Sequence, residues 1–96
     1  MNNIKIFIAD DVNEEKLAPL VEAGFTVEKE TKLDFDALAA KLKDADGVIV
    51  RSATHITAEL MDKAEKLRVI GRAGVGVDNI DVKAATERGI VVAGMR

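Results

Sequence analysis

The chain has no cysteine among its 96 residues and a single histidine, His55. The first absence excludes disulfides, thiolate metal sites and a cysteine nucleophile, and it fits a reducing compartment. The second leaves little material for a histidine-rich metal site or a Ser-His-Asp triad. No run approaches the roughly 18 apolar residues of a membrane span, and the opening "MNNIKIFIADD" lacks the form of a signal peptide. Positive charge is not in excess: 14 Lys and Arg face 17 Asp and Glu, a net −3 with a pI near 5.1. A broad nucleic-acid-binding face is therefore not expected. The chain reads as soluble and cytoplasmic, with no membrane or nucleic-acid partner.

What is present is an ordinary globular balance, 48% hydrophobic and 32% charged, in a length that fits one domain spanning 1–96. Five short runs rich in Ile, Val and Phe read as strands: Ile4–Ala9, Phe25–Lys29, Gly47–Val50, Arg68–Ala73 and Gly89–Ala93. In the first, Ile4, Ile6 and Ile8 share one face and Phe7 and Ala9 the other, which suits a sheet covered on both sides. Four helical patterns alternate with them. Asn13–Ala23 carries Leu17, Leu20 and Val21 on one face and stops at Gly24; Asp34–Leu42 is capped by Asp34 and buries Phe35, Leu38, Ala39 and Leu42. Thr57–Lys66 is capped by Thr57, with Leu60, Met61, Ala64 and Leu67 apolar. Asp81–Arg88 is capped by Asp81, with Val82 and Ala85 inward and a stop at Gly89. Strict alternation implies parallel strands with right-handed crossovers. The expected fold is α/β, a flavodoxin-like three-layer sandwich whose five-stranded parallel sheet has the order 2-1-3-4-5, with four helices. A final covering helix is missing from the pattern, so one patch of sheet is expected to lie open.

Ligands of open parallel sheets bind beyond the carboxyl ends of the strands. That rule selects the loops "DDVN", "RSATHIT", "GVGVDN" and the terminal "GMR", and sets "ETKLD" aside toward the sheet edge. The turn Gly74-Val75-Gly76 lacks the third glycine and the later acidic residue of a dinucleotide fingerprint, and Asp78 would sit beside the pyrophosphate. A phosphorelay receiver would need an aspartate where Arg51 ends strand 3, so Asp10 and Asp11 are assigned to capping the first helix. A small-anion site remains. Arg51 and Ser52 end strand 3, Arg72 ends strand 4 beside them, and the Gly74–Gly76 amides allow close approach. Strand alternation would turn Arg72 aside, and a solvated role for these arginines stays open. His55 is read as exposed and idle; Asp78 and Asn79 are read as shaping the turn into the last helix.

The stretch "GVIVRSATHITAELMDKAEKLRVIGRAGVGVDNIDVKAATERGIVV", above all "VRSAT" and "GRAGVGVDNID", resembles the D-2-hydroxyacid dehydrogenase family, in its D-3-phosphoglycerate-oxidising branch that serves serine biosynthesis. The resemblance implies the first segment of a substrate-binding domain that an inserted nucleotide-binding domain interrupts. It further implies that Arg51, Ser52 and Arg72 contact the substrate anion. The turn of Gly74, Val75 and Gly76 would hold its carboxylate, with Val75 near the nicotinamide. Here "VVAGMR" replaces the family's "VVN-[AT]-P", and the nucleotide domain with its Arg-Glu-His catalytic set does not appear. The expectation is a catalytically inert substrate-binding part, with no cofactor of its own although the parent enzyme uses NAD. It would bind 3-phosphoglycerate at millimolar strength or worse. The alternative is an autonomous or engineered folding unit that binds no ligand and self-associates as a homodimer through the uncovered sheet face.

Overall fold

The computed structural model describes residues 4–12, 14–73 and 79–95. The elements run β1 (Lys5–Ile8), α1 (Glu14–Glu22), β2 (Thr26–Lys29), α2 (Phe35–Leu42), β3 (Gly47–Val50), α3 (Ala58–Lys63), β4 (Val69–Ala73), α4 (Val82–Glu87) and β5 (Val91–Met95). All strand pairs are parallel and the sheet order is β2-β1-β3-β4-β5, as the alternating pattern predicts. No described helix is long and apolar enough to cross a membrane.

Register explains the two-sided hydrophobicity of the central strands. Phe7, Val48, Ile70 and Val92 form one cross-strand row. That row packs against Leu38 and Leu42 of α2, Leu60 and Met61 of α3, and Ala84 and Ala85 of α4. Ile8, Ile49, Gly71 and Ala93 form a row on the opposite face. There Ile6, Ile8 and Ile49 cluster with Leu17 and Leu20 of α1. Full burial of each large apolar side chain in these clusters contributes about 1.5–3 kcal/mol. The second face is the thinner one. Val91 is 62% exposed and Ala93 is also exposed, where the sequence leads one to expect open sheet.

Helix ends follow their local chemistry. Asp34, Thr57 and Asp81 accept from the amides of Ala37, Leu60 and Ala84, so all three predicted caps form. Gly24 and Gly89 adopt φ of 91° and 72°, and each is followed by an amide that reaches back five residues: Phe25 to Leu20 and Ile90 to Ala85. This is the Schellman closure that favours glycine. The second closure consumes Gly89 and Ile90, so β5 starts at Val91 rather than at the expected Gly89. The third helix is also shorter than expected. The Ala64 amide bonds both Leu60 and Met61 carbonyls, ending α3, while Leu67 stays buried through the turn that follows. Val21 and Val82 were expected inward but are exposed, and Phe35 is exposed as well. In α4 the inward positions are Ala84 and Ala85, whose small side chains let the short helix lie close to the sheet.

Surface ion pairs decorate this frame. Glu28 joins Lys41 and Lys5, Lys5 also meets Asp44, Lys29 meets Asp11, and Arg88 meets Asp62. The hydrogen-bonded cation holds the carboxyls of Asp11, Glu28, Asp44 and Asp62 below their ordinary values. A carboxyl lowered on folding gives stability that is complete above its unfolded value and is lost as pH falls through the folded one. Acid titration of unfolding is therefore expected to show no loss from these pairs at pH 5–7. The loss should begin below the ordinary values of 4.5 for Glu and 3.8 for Asp, and added salt should weaken it.

Gly47 supplies a second test. A Cβ there would stand 2.8 Å from Ile6 Cδ1 and 2.9 Å from Val69 Cγ1. Gly47→Val is expected to destabilise by about 1–3 kcal/mol through overpacking. The signature is a lower urea midpoint at constant slope; an unchanged midpoint would contradict it.

Candidate functional site

The carboxyl ends of β1, β3 and β4 converge on the turn Arg51–Thr54. A turn at the end of a buried strand must find partners for peptide groups that the ladder no longer satisfies. Asp10, only 5% exposed, meets that need on one side. Its Oδ2 accepts from the Arg51 amide at 2.7 Å and the Thr54 amide at 3.1 Å, and its Oδ1 accepts from the Thr54 hydroxyl. Asn79, 6% exposed, meets it on the other. Its Nδ2 donates to the carbonyls of Arg51 and Thr54, both at 2.6 Å, while its Oδ1 accepts from Arg72 Nε at 2.8 Å. Asn79 is itself fixed by a parallel bridge between Ile56 and Ile80, in which its carbonyl accepts from the Ile56 amide.

Arg51 and Ser52 are exposed on this clamped turn. The Arg51 guanidinium donates through Nη1 to the Asp11 carbonyl at 3.1 Å, which aims it along the β1–α1 turn. Lys29 bonds the Asp11 carboxylate at 2.9 Å and holds its carboxyl low, with the Arg51 charge adding to the effect. Arg72 is buried at 8% exposure. It shares a register row with Val50 and Gly94, on the face that carries α2, α3 and α4. Alternation does not carry it away from the loops, because its Nε bonds Asn79, which holds the turn. The proposed contacts Gly74, Val75 and Gly76, together with Asp78, lie outside the described residues.

Beside the turn runs a groove of about 550 Å³. It is lined by Arg51, Ser52, Ala53 and His55 of the turn, by Asp10 and Asp11, by Lys32 and Leu33 of the β2–α2 loop and by Phe35 of α2. The sequence points to a peripheral loop here, yet Lys32, at a left-handed φ of 59°, and Leu33 line the groove. Asp10 needs a correction too. The sequence pattern suggests a cap for the first helix, whereas Asp10 binds a turn about forty residues away in sequence. Asn79 does more than shape its own turn. No local sequence pattern signals either pairing, because both partners of each bond lie on different crossovers.

A dinucleotide does not fit the described residues. The Arg51 and Thr54 amides are already taken by Asp10, and the β1–α1 turn presents the exposed Asp11 carboxylate where a pyrophosphate needs free N–H groups. A small anion fits better, because Arg51 offers a planar fork of donors on an exposed and well-held turn.

Comparison with known proteins agrees with the fold and places the chain. It belongs to the D-isomer specific 2-hydroxyacid dehydrogenase family, whose catalytic-domain model matches residues 6–95. The D-3-phosphoglycerate dehydrogenase of Methanocaldococcus jannaschii is 54% identical over 89 residues, covering 93% of this chain and 17% of that protein. The human D-3-phosphoglycerate dehydrogenase is 46% identical over 88 residues, covering 92% of this chain and 16% of that protein. The NAD+-bound 3-phosphoglycerate dehydrogenase of Entamoeba histolytica superposes with a TM-score of 0.86 at 34% identity, over 97% of this chain and 33% of that one. A protein from Pyrococcus horikoshii reaches 0.89 at 33% identity, over 98% of this chain and 28% of that one. The chain thus spans only 16–17% of the length of these curated relatives.

The clamp makes a direct prediction. Asn79→Ala leaves two carbonyls and the Arg72 Nε without this partner. It is expected to cost about 2–4 kcal/mol, since unsatisfied buried polar groups cost about 1–3 kcal/mol each and water recovers part. Chemical denaturation measures this, and a loss below about 0.5 kcal/mol would contradict the assigned role.

Proposed function

We propose that this chain forms the substrate-anion side of a D-3-phosphoglycerate dehydrogenase of serine biosynthesis and is catalytically inert by itself. The observation that carries the reading is the exposed Arg51–Ser52 pair on a turn pinned from both sides, in a chain 54% identical to such an enzyme. In the whole reaction 3-phospho-D-glycerate gives up a hydride to NAD and becomes 3-phosphooxypyruvate. The residues here bind and orient: Arg51 meets a carboxylate or phosphate oxygen, Ser52 adds a hydroxyl donor, and the groove admits the rest of a small acid. Arg72 adds positive charge from beneath the turn, and the Gly74–Gly76 amides complete the anion contact. Hydride acceptor and proton-transfer groups belong to other parts of the enzyme.

Titrating 3-phosphoglycerate while recording amide NMR spectra tests this. Shifts are expected at Arg51, Ser52, Val75 and Gly76, with affinity of roughly millimolar strength or weaker. Arg51→Ala should weaken binding by about tenfold or more, the scale of a charge-assisted bond. Absence of shifts in the parent chain overturns the reading, and so does any reduction of NAD by the purified chain. A second reading has one observation in its favour, the exposed Val91 and Ala93 on the α1 face of β5. On that reading the chain is an autonomous unit that dimerises through this face, and light scattering would rise with concentration while ligand shifts stay absent.

A further inference from the structure

We propose that Asp10 is a positioning residue for anion recognition, acting through Arg51 and Ser52 without touching the ligand. The inference rests on the functional reading above and extends it to a residue with no assigned role. A carboxylate beside an anion site is electrostatically unfavourable unless its charge is turned elsewhere. Here both oxygens of Asp10 are filled by the turn itself, Oδ2 by two amides and Oδ1 by the Thr54 hydroxyl. The side chain is buried where it borders the groove, and its charge is spent on the amides and the hydroxyl of the turn. The amides it binds, at positions 51 and 54, bracket the exposed Ser52 and carry the Arg51 side chain. Asn79 holds the carbonyls of the same two residues. The backbone on either side of the presenting residues is therefore fixed before a ligand arrives, which removes an ordering cost from binding.

The metal-ligand alternative for the Asp10–Asp11 pair fails on the same geometry. Asp10 has its oxygens occupied by N–H and O–H donors, and Asp11 is paired with Lys29. No group of three or more His, Asp or Glu suited to a metal occurs among the described residues.

Asp10→Asn is the informative variant because it keeps shape and removes acceptor capacity. Amide exchange and 3-phosphoglycerate binding are measured on it, on Arg51→Ala and on the double variant. Exchange at Arg51 and Thr54 is expected to accelerate at least tenfold while Ile8 and Ile49 in the neighbouring strands are unchanged. Binding is expected to weaken about tenfold in Asp10→Asn, and the loss in the double variant is expected to fall short of the product of the two single losses. Multiplicative losses in the double variant, or exchange that accelerates uniformly across β1 and β3, would mean a general structural role and overturn the proposal. Should Asp10→Asn fail to fold, Thr54→Val replaces it, with Thr54→Ser expected to restore both exchange protection and binding; failure of that rescue overturns the proposal as well. If the parent chain shows no shift with 3-phosphoglycerate, the functional reading falls and this inference with it. Binding in the parent with multiplicative losses sinks the inference alone.

Discussion

The shape of this site depends on how the chain leaves β3. The strand is buried along its length, and its final carbonyls and the following amides emerge where the parallel ladder ends. Asp10 and Asn79 resolve this by binding the amides and the carbonyls, respectively, of the same two residues. Bonds to a buried carboxylate are worth about 1.5–3 kcal/mol each, against roughly 1 kcal/mol for neutral ones. The turn is therefore a rigid feature of the sheet end. Each clamp residue comes from a different crossover, so the geometry exists only once β1, β3 and the segment before α4 are assembled.

The two faces of the sheet contribute unequally to that assembly. The face under α2, α3 and α4 holds the larger apolar cluster, and its rows end in Val50, Arg72 and Gly94. The polar network grows out of this better-packed side: Arg72 follows Ile70 on one strand face, and Asn79 adjoins the buried Ile80. The opposite face carries α1 and a row that thins from Ile8 and Ile49 to Gly71 and Ala93. A precise polar clamp needs a firm base, and the fold places it on the face that supplies one.

What could be read from the sequence divides along the same line between local and distant partners. Asp34, Thr57 and Asp81 are legible as caps because the groups they bind lie three residues ahead. The strand alternation of Ile6, Phe7 and Ile8 fixes which face each meets, and the strict succession of strand and helix fixes the sheet order. Asp10 misleads because a pair of aspartates before a helix satisfies the local rule for capping, while its actual partners lie 41 and 44 residues on. Asn79 finds its partners 25 and 28 residues back. Lys32 is similarly hidden: a non-glycine residue in the left-handed region is a property of the folded loop, and nothing in "ETKLD" announces it.

The two arginines illustrate how one residue type serves two tasks in a single network. Arg51 is exposed and, among the described residues, its guanidinium is held by one bond, to a main-chain carbonyl. Arg72 is buried and commits its Nε to Asn79. A lysine in either place would keep the charge but not the arrangement, because an ammonium has no fixed plane and no separate Nε to anchor while other donors reach elsewhere. The guanidinium at Arg72 holds Asn79 through Nε, in the plane that its fork fixes. That orientation decides which way the Asn79 amide faces, since its oxygen must meet Arg72 for its nitrogen to meet the two carbonyls. A side chain on β4 is thus linked through Asn79 to the carbonyls of the turn that follows β3.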